Sequence, residues 1–424
     1  MAMVKSINEL PAEILGMVFF EFVELGVELE KTRQGQTPER LTAVCRSWKE
    51  LVESNPELWS RIDVQFGFRN SPMDVEPIKA KIQKAKQSPL ALYIHGRLII
   101  VDNHLKITRD VLALYDLVKN HRWRALSIFD PKYLSPFEII FRHIIDNPHM
   151  CRLSSFRIGI TKAEPNAEVV GVLLKEALRQ NLNIKHLAIP VSLLEPSHPL
   201  LQAVSYLQFA WVYIPTDLLS TLSEASSLRS LRVGGISRSS PDPLNPPAPC
   251  TLPMLEQLDF HECPEFPELI MQKLDLPSIQ SLKFKVVRCS IKRGDEQLKM
   301  LVTNVPWLTR IKSLNLDSVY VSEDMLLWTL RRLPLLRNLT LASWERVSGK
   351  TTKKLSERPT ARREWLCPIL EEIEFRQCLR LLESDVIGLV EARVRVTSGS
   401  APASTISPSL LRKVIWRGRD MALD

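Results

Sequence analysis

The stretch Leu255-Glu256-Gln257-Leu258-Asp259-Phe260-His261-Glu262-Cys263 decides the fold. Apolar residues at the first, fourth and sixth positions, followed by a small cysteine, suit a short strand with one side inside. A second copy, Leu370-Glu371-Glu372-Ile373-Glu374-Phe375-Arg376-Gln377-Cys378, keeps the same spacing. The shorter core of this pattern, apolar-x-x-apolar-x-apolar, recurs outward in both directions. It stands at Trp123/Leu126/Ile128, Leu153/Phe156/Ile158, Ile184/Leu187/Ile189, Val204/Leu207/Phe209 and Leu228/Leu231/Val233. It continues at Ile279/Leu282/Phe284, Ile311/Leu314/Leu316, Leu336/Leu339/Leu341 and Leu411/Val414/Trp416. Trp59/Ile62/Val64 and Pro89/Leu92/Ile94 are two earlier candidates.

A single such hexad arises easily by chance in a chain that is 45% apolar, so spacing and context carry the weight. From Leu126 to Val414 the central residues recur at a mean of about 29 residues, within the range of strand-plus-helix repeats. Pro253, Pro277, Pro334 and Pro368 each stand five residues before a central position, where proline stops a helix ahead of the strand. Between the strands, helices are expected at about 166–180, 322–333 and 384–393. Ser322 is placed as an N-cap, with Glu323 and Asp324 in the first turn.

This pattern resembles an irregular leucine-rich-repeat array. The resemblance implies an α/β solenoid with parallel strands on its concave side and helices on its convex side. No repeat buries its own apolar face, so stacking makes the core. Strand alternation then turns Arg157, Gln208, Arg232, Asp259, Lys283, Lys285, Asn315, Thr340, Glu374 and Arg376 to the concave face. Their mixed charge names no single ligand. Three segments are expected as loop insertions: 237–250, proline-rich; 343–363, basic; and 397–409, rich in Ser, Ala, Pro and Thr.

The first sixty residues read differently. Pro11 suits the start of a helix, and Leu10, Ile14, Leu15, Val18 and Phe19 recur at helical spacing after it. A second helix is expected from about Pro38, capped by Thr37, with Leu41, Val44, Cys45, Trp48, Leu51 and Val52 on one face. Asn55-Pro56 ends it. Helices this short bury too little to stand alone, so a partner or neighbouring domain is expected.

Leu10-Pro11-Ala12-Glu13-Ile14-Leu15, Val18-Phe19, Val44-Cys45-Arg46-Ser47-Trp48 and Asn55-Pro56-Glu57-Leu58-Trp59 together resemble the F-box, over about residues 7–60. The stretch between Phe20 and Leu41 is about ten residues longer than the typical F-box has, which is similar to F-box proteins of filamentous fungi. The resemblance implies docking on the SKP1 adaptor of a ubiquitin ligase, and through it on a cullin. The residues it assigns to docking are Leu10, Pro11, Ile14, Leu15, Val18, Leu41, Val44, Cys45 and Trp48. Pro56, Leu58 and Trp59 are expected to seat this segment on the first repeat. The expected division is residues 1–60 against 61–424.

The remaining chemistry is thin. The 424 residues carry a net charge of +8, with basic residues dispersed, so neither a nucleic acid nor a membrane is expected as partner. Seven cysteines, irregularly spaced and without a CxxC, suit reduced thiols and a cytoplasmic or nuclear place. The start shows no basic region followed by an apolar run, so no signal peptide is expected. Neither HxxxH nor HExxH occurs, and Gly349-Lys350-Thr351 lacks the upstream glycine of a phosphate-binding loop. No catalytic residue, metal or cofactor is implied. The two readings left are a substrate-recognition adaptor of a ubiquitin ligase and a non-catalytic repeat scaffold without that role.

Overall fold

The computed structural model describes residues 7, 10–25, 37–66, 73–95, 104–129, 134–159, 167–209, 215–235, 248–264, 266–287, 289–344, 347–357, 365–394, 411–416 and 419–421. The chain forms two compact units, Met1–Leu187 and Ala188–Asp424.

The first unit opens with helices α1 (Ala12–Leu25), α2 (Pro38–Thr42) and α3 (Arg46–Ser54) and a tight turn at Pro56–Trp59. Strands and helices then alternate: β1 (Arg61–Gln65), α4 (Glu76–Ala85), β2 (Leu90–His95), α5 (His104–Val118), β3 (Trp123–Phe129), α6 (Glu138–Asp146), β4 (Cys151–Ile158) and α7 (Ala167–Gln180). The strands β1 to β4 pair in chain order, all parallel. Ile62, Leu92, Leu126 and Phe156, the expected central residues, are register partners and lie fully inside. The units divide within β5 (His186–Ile189).

The second unit continues with α8 (Leu200–Ala203), β6 (Tyr206–Phe209), α9 (Pro215–Leu222), β7 (Ser230–Gly234), β8 (Cys250–Thr251), β9 (Gln257–His261), α10 (Glu268–Lys273) and β10 (Leu274–Asp275). It goes on through β11 (Ser281–Val287), α11 (Ile291–Asn304), β12 (Ser313–Val319), α12 (Glu323–Leu330), β13 (Asn338–Ala342), α13 (Gly349–Ser356), β14 (Glu372–Arg376) and α14 (Glu383–Val394). It closes with β15 (Lys413–Trp416) and the antiparallel β16 (Arg419–Met421). The sheet runs β6-β7-β9-β11-β12-β13-β14-β15-β16, while β8 and β10 pair separately.

Leu207, Leu231, Leu258, Leu282, Leu314, Leu339, Ile373 and Val414 share one register row. Leu282, Phe284, Leu314 and Leu316 meet Leu298, Leu301 and Val302 of α11 in the core. This is the strand-then-helix repeat array that the hexads predict: parallel strands need crossovers, and helices lie in all of them except that from β7 to β9, where the described residues hold only β8.

Gly235, Glu262, Val286, Ser318, Ser343 and Gln377 all have left-handed φ between 50° and 58°. Each directly follows the row of Gly234, His261, Lys285, Asp317, Ala342 and Arg376; four lie just past their strands, while Val286 and Ser318 lie within β11 and β12, ahead of the pair Val287 and Val319. The N–H of this residue extends the ladder: Gly235 donates to the His261 carbonyl at 3.0 Å and Glu262 to the Lys285 carbonyl at 2.8 Å. Val286 is the costly case, because a β-branched side chain crowds the backbone there.

At Gly294, within α11, a Cβ would stand 2.2 Å from the Tyr320 carbonyl oxygen. Gly294→Ala is therefore expected to destabilise the protein by roughly 1–3 kcal/mol despite alanine's better helix propensity. A lower urea midpoint with an unchanged m-value is the check.

Two expectations need correcting. The helix expected from Pro38 is broken. Cys45 is extended, with φ −158° and ψ 171°, and α3 starts anew after it. The break buries Leu41 and turns Val44 to solvent. Thr37 caps nothing with its side chain, and Pro38 opens α2. Segment 343–363 is not simply a loop, since it holds α13. Its composition misleads because a carboxylate from another helix organises it. Glu323 of α12 accepts from Ser348 N–H at 3.1 Å and Thr351 N–H at 2.9 Å. Most of 237–250 and all of 397–409 lie outside the described residues.

Between α13 and β14, Arg393 of α14 is buried and donates to the carbonyls of Leu355 (2.8 Å), Leu366 (2.6 Å) and Cys367 (3.3 Å). Its guanidinium also lies 4.6 Å from the Trp365 ring centre.

Candidate functional site

Two surfaces carry the sequence-predicted residues. The first is the N-terminal helical segment. In α1, Leu15, Phe19 and Val23 follow each other at four-residue spacing and are buried. Phe19 meets Trp48 of α3, with ring centres 4.6 Å apart. Leu41 is buried as well. Leu15 and Leu41 thus hold the helices together, and their side chains are not available for docking. Leu10, Cys45 and Trp48 are half-buried, and Pro11 is exposed.

Beside the exposed charges of Glu13, Glu21, Arg46 and Lys49, several apolar side chains also remain outside. Ile14 is 45% exposed, Val18 41% and Val44 58%. Met17, which the sequence reading passed over, is 65% exposed. Ile14, Met17 and Val18 stand at i, i+3 and i+4, so helical spacing alone could have found it. Exposed single apolar residues mean little; here Ile14, Met17 and Val18 share one side of α1, and Val44 lies in the break between α2 and α3.

The sequence also missed what anchors this segment. Arg61 of β1 is buried, donates through Nη1 to the Val23 carbonyl in the last turn of α1, and forks onto Asp63 at 2.9 and 3.0 Å. A cation at a helix C-terminus offsets its unpaired carbonyls. Arg124 of β3 lies 5.5 Å from the Phe20 ring centre. Trp59 is buried, donates Nε1–H to the Val52 carbonyl at 2.9 Å, and is covered by the Lys84 ammonium at 3.7 Å. Leu58 is buried beside it. The apolar patch is held on the first strands of the array, not on a loose tether.

The second surface is the sheet side of the second unit that the buried row leaves facing away from the core. Gln208, Arg232, Asp259, Lys283, Asn315, Thr340 and Glu374 occupy one register row. Lys285 and Arg376 belong to the next row, with Gly234, His261, Asp317 and Ala342. Arg157 sits in the first unit, 5.5 Å from the Phe129 ring centre. His261 and Asp317 were missed, although each stands two residues beyond a residue named from the strand pattern.

Several of these side chains are already engaged. Glu374 accepts from Arg376 Nε at 2.5 Å and from Thr340 Oγ1 at 3.4 Å. Arg232 Nη2 donates to Asp259 at 3.3 Å, and His261 Nε2 stands 3.8 Å from the same carboxylate. Burial pushes the Asp259 carboxyl up, but His261, Arg232 and Lys283 outweigh it and hold the group below its ordinary value. A carboxyl with a depressed folded pKa adds stability at neutral pH, and that contribution is lost as pH falls from about 3.9 through the folded value. The Asp259→Asn chain is therefore expected to lose less stability than the parent between pH 5 and pH 3, as followed by urea midpoints.

Nucleophilic chemistry finds little support. Burial pushes the thiols of Cys151 and Cys367 up to about 12, and those of Cys250 and Cys378 up to about 11, which keeps them protonated. Cys263 is buried, as its repeat position implies. Among the described residues, no group of three or more His, Cys, Asp or Glu could hold a metal ion, and no helix is long and apolar enough to cross a membrane.

No protein-family model matches the sequence, and no curated protein matches it. Among solved structures, the chain is similar to one from the crystal structure of the Rad7 and Elc1 complex in yeast. The identity is 15%, the match covers 88% of this chain and 90% of that one, and the TM-score is 0.44.

Proposed function

We propose that this protein is a non-catalytic adaptor that brings a target protein to a ubiquitin ligase. The exposed side of its N-terminal helices docks on an SKP1-type adaptor, and through it on a cullin. The outward side of its repeat sheet takes the target. Such a protein breaks no bond itself. It raises the effective concentration of a target lysine beside the charged conjugating enzyme.

The observation that carries this reading is the apolar patch of Ile14, Met17, Val18 and Val44, on a segment bearing the F-box pattern and fastened to β1 through Arg61 and Trp59. A passive helical end-cap needs no exposed apolar face. Rigid seating supports the adaptor role further, because a fixed distance between dock and target limits where the target lysine can lie.

Co-purification of the tagged full chain with an SKP1-type adaptor and a cullin tests the reading. Stoichiometric recovery of both is expected. Recovery of neither would leave the scaffold reading, in which the helices only close the end of the array.

A further inference from the structure

On β7, β9, β11 and β12, several polar atoms converge that the protein leaves unanswered. Arg232, Asp259, Lys283 and Asn315 are successive register partners, and His261, Lys285 and Asp317 form the row beside them. Three buried polar atoms of this group have no hydrogen-bond partner among the described residues: Arg232 Nε, Asn315 Oδ1 and His261 Nε2, the last 3.8 Å from the Asp259 carboxylate and beyond hydrogen-bond reach of it. Leaving a buried polar group without a partner is costly, so three on one small area call for an explanation.

The charge of the same area gives its sign. Arg232 leans on Asp259, while Lys283 and Lys285 have no ion pair within 4 Å among the described residues. Asp317, beside Lys285, accepts from Ser318 Oγ at 3.0 Å. The strand entries beneath add Lys312, which is exposed, and Arg229, which pairs with Glu256 at 2.6 Å. The donors therefore outnumber the carboxylates across these four strands. The backbone at Val286, between Lys285 and the strand end, is held at a φ of 58°. The same angle recurs at the equivalent place on five other strands, so it belongs to the fold and not to this area alone.

We propose that this area receives a carboxylate side chain from an extended acidic segment of the target protein. The carboxylate sits between the Lys283 and Lys285 ammonium groups and accepts from Arg232 Nε and from His261 Nε2 when that nitrogen bears its proton. Asn315 Oδ1 accepts a backbone N–H of the same segment. Asp259 touches no part of the target. It is a positioning residue that holds Arg232 and His261 at the rim. This assignment rests on the reading of the sheet side as the target surface.

The probe is fluorescein-labelled hexaglutamate, read by polarisation with the purified full chain. Binding is expected, weakening severalfold from 50 to 200 mM salt, since the contact is charged and partly exposed. Lys283→Glu/Lys285→Glu is expected to weaken it at least tenfold. Lys292→Glu/Lys299→Glu, an equal charge change on α11, is expected to stay within twofold of the parent. Absence of binding to the parent chain, or equal losses in the two double variants, overturns the proposal. Urea midpoints matched to the parent show that the variants are folded. The assay contains no adaptor or cullin, so failure of co-purification beside normal hexaglutamate binding defeats the adaptor reading alone, and the converse defeats this site alone.

Discussion

Val18→Glu together with Val44→Glu is expected to abolish capture of an SKP1-type adaptor, lowering affinity by at least about 100-fold. Both side chains are exposed in the free chain, so the folded state loses little when they change. In the complex the cost is large. Each fully buried valine contributes about 1.5–3 kcal/mol, and each glutamate must shed water to enter an apolar interface. Two sites together exceed the roughly 2.8 kcal/mol that a 100-fold change requires. Titration calorimetry with purified adaptor measures it. Leu379→Glu is the control, because Leu379 is 70% exposed in the second unit, away from this patch in the chain. Undiminished affinity in the double variant, with an unchanged urea midpoint, would show that the patch does not dock.

The largest loss of stability is expected at Arg393. Replacing it by alanine should cost about 3–5 kcal/mol. The guanidinium answers three backbone carbonyls, of which that of Cys367 also accepts from the Leu370 N–H, and it stacks on Trp365. Burial lowers its own pKa to about 10, so the charge is held at a cost, and the three hydrogen bonds with the aromatic face offset it. Arg393→Lys is expected to recover less than half of the loss, because an ammonium cannot span carbonyls on both sides of the segment as the planar fork does. Urea midpoints for both variants check this ordering. A lysine variant as stable as the parent would reduce the role to charge alone.

The strands were legible because their signal is local. A central leucine or isoleucine with its neighbours at −3 and +2 marks each strand, and every position named from the hexads lies on or beside one. The helix caps at Ser322 and the helices at 167–180 and 383–394 were legible for the same reason. The break at Cys45 was not, since the apolar spacing from Leu41 to Trp48 suits one helix equally well. The anchoring arginines were hidden too. Arg61 and Arg393 act over 38 residues of sequence, and nothing near them marks a distant carbonyl as their partner. Among the residues that the F-box resemblance assigns to docking, the pattern could not separate Leu15 and Leu41, which face inward, from Ile14, Val18 and Val44, which are exposed. That division depends on how the helices pack, which the spacing does not reveal, whereas Met17 follows from the spacing of α1 alone.

The left-handed residues at the strand ends explain how repeats of unequal length keep one register. Gly235, Glu262, Val286, Ser318, Ser343 and Gln377 share no side-chain chemistry, only a backbone angle. Each acts as a reset: whatever number of residues the preceding helix and loops used, the chain turns at the same row of the ladder. Length variation is thereby quarantined on one edge of the array and never reaches the ladder. Such an architecture can gain or shed residues between strands without shifting the rows of side chains on its other side, so the spacing of a binding surface and the length of the gene can change independently.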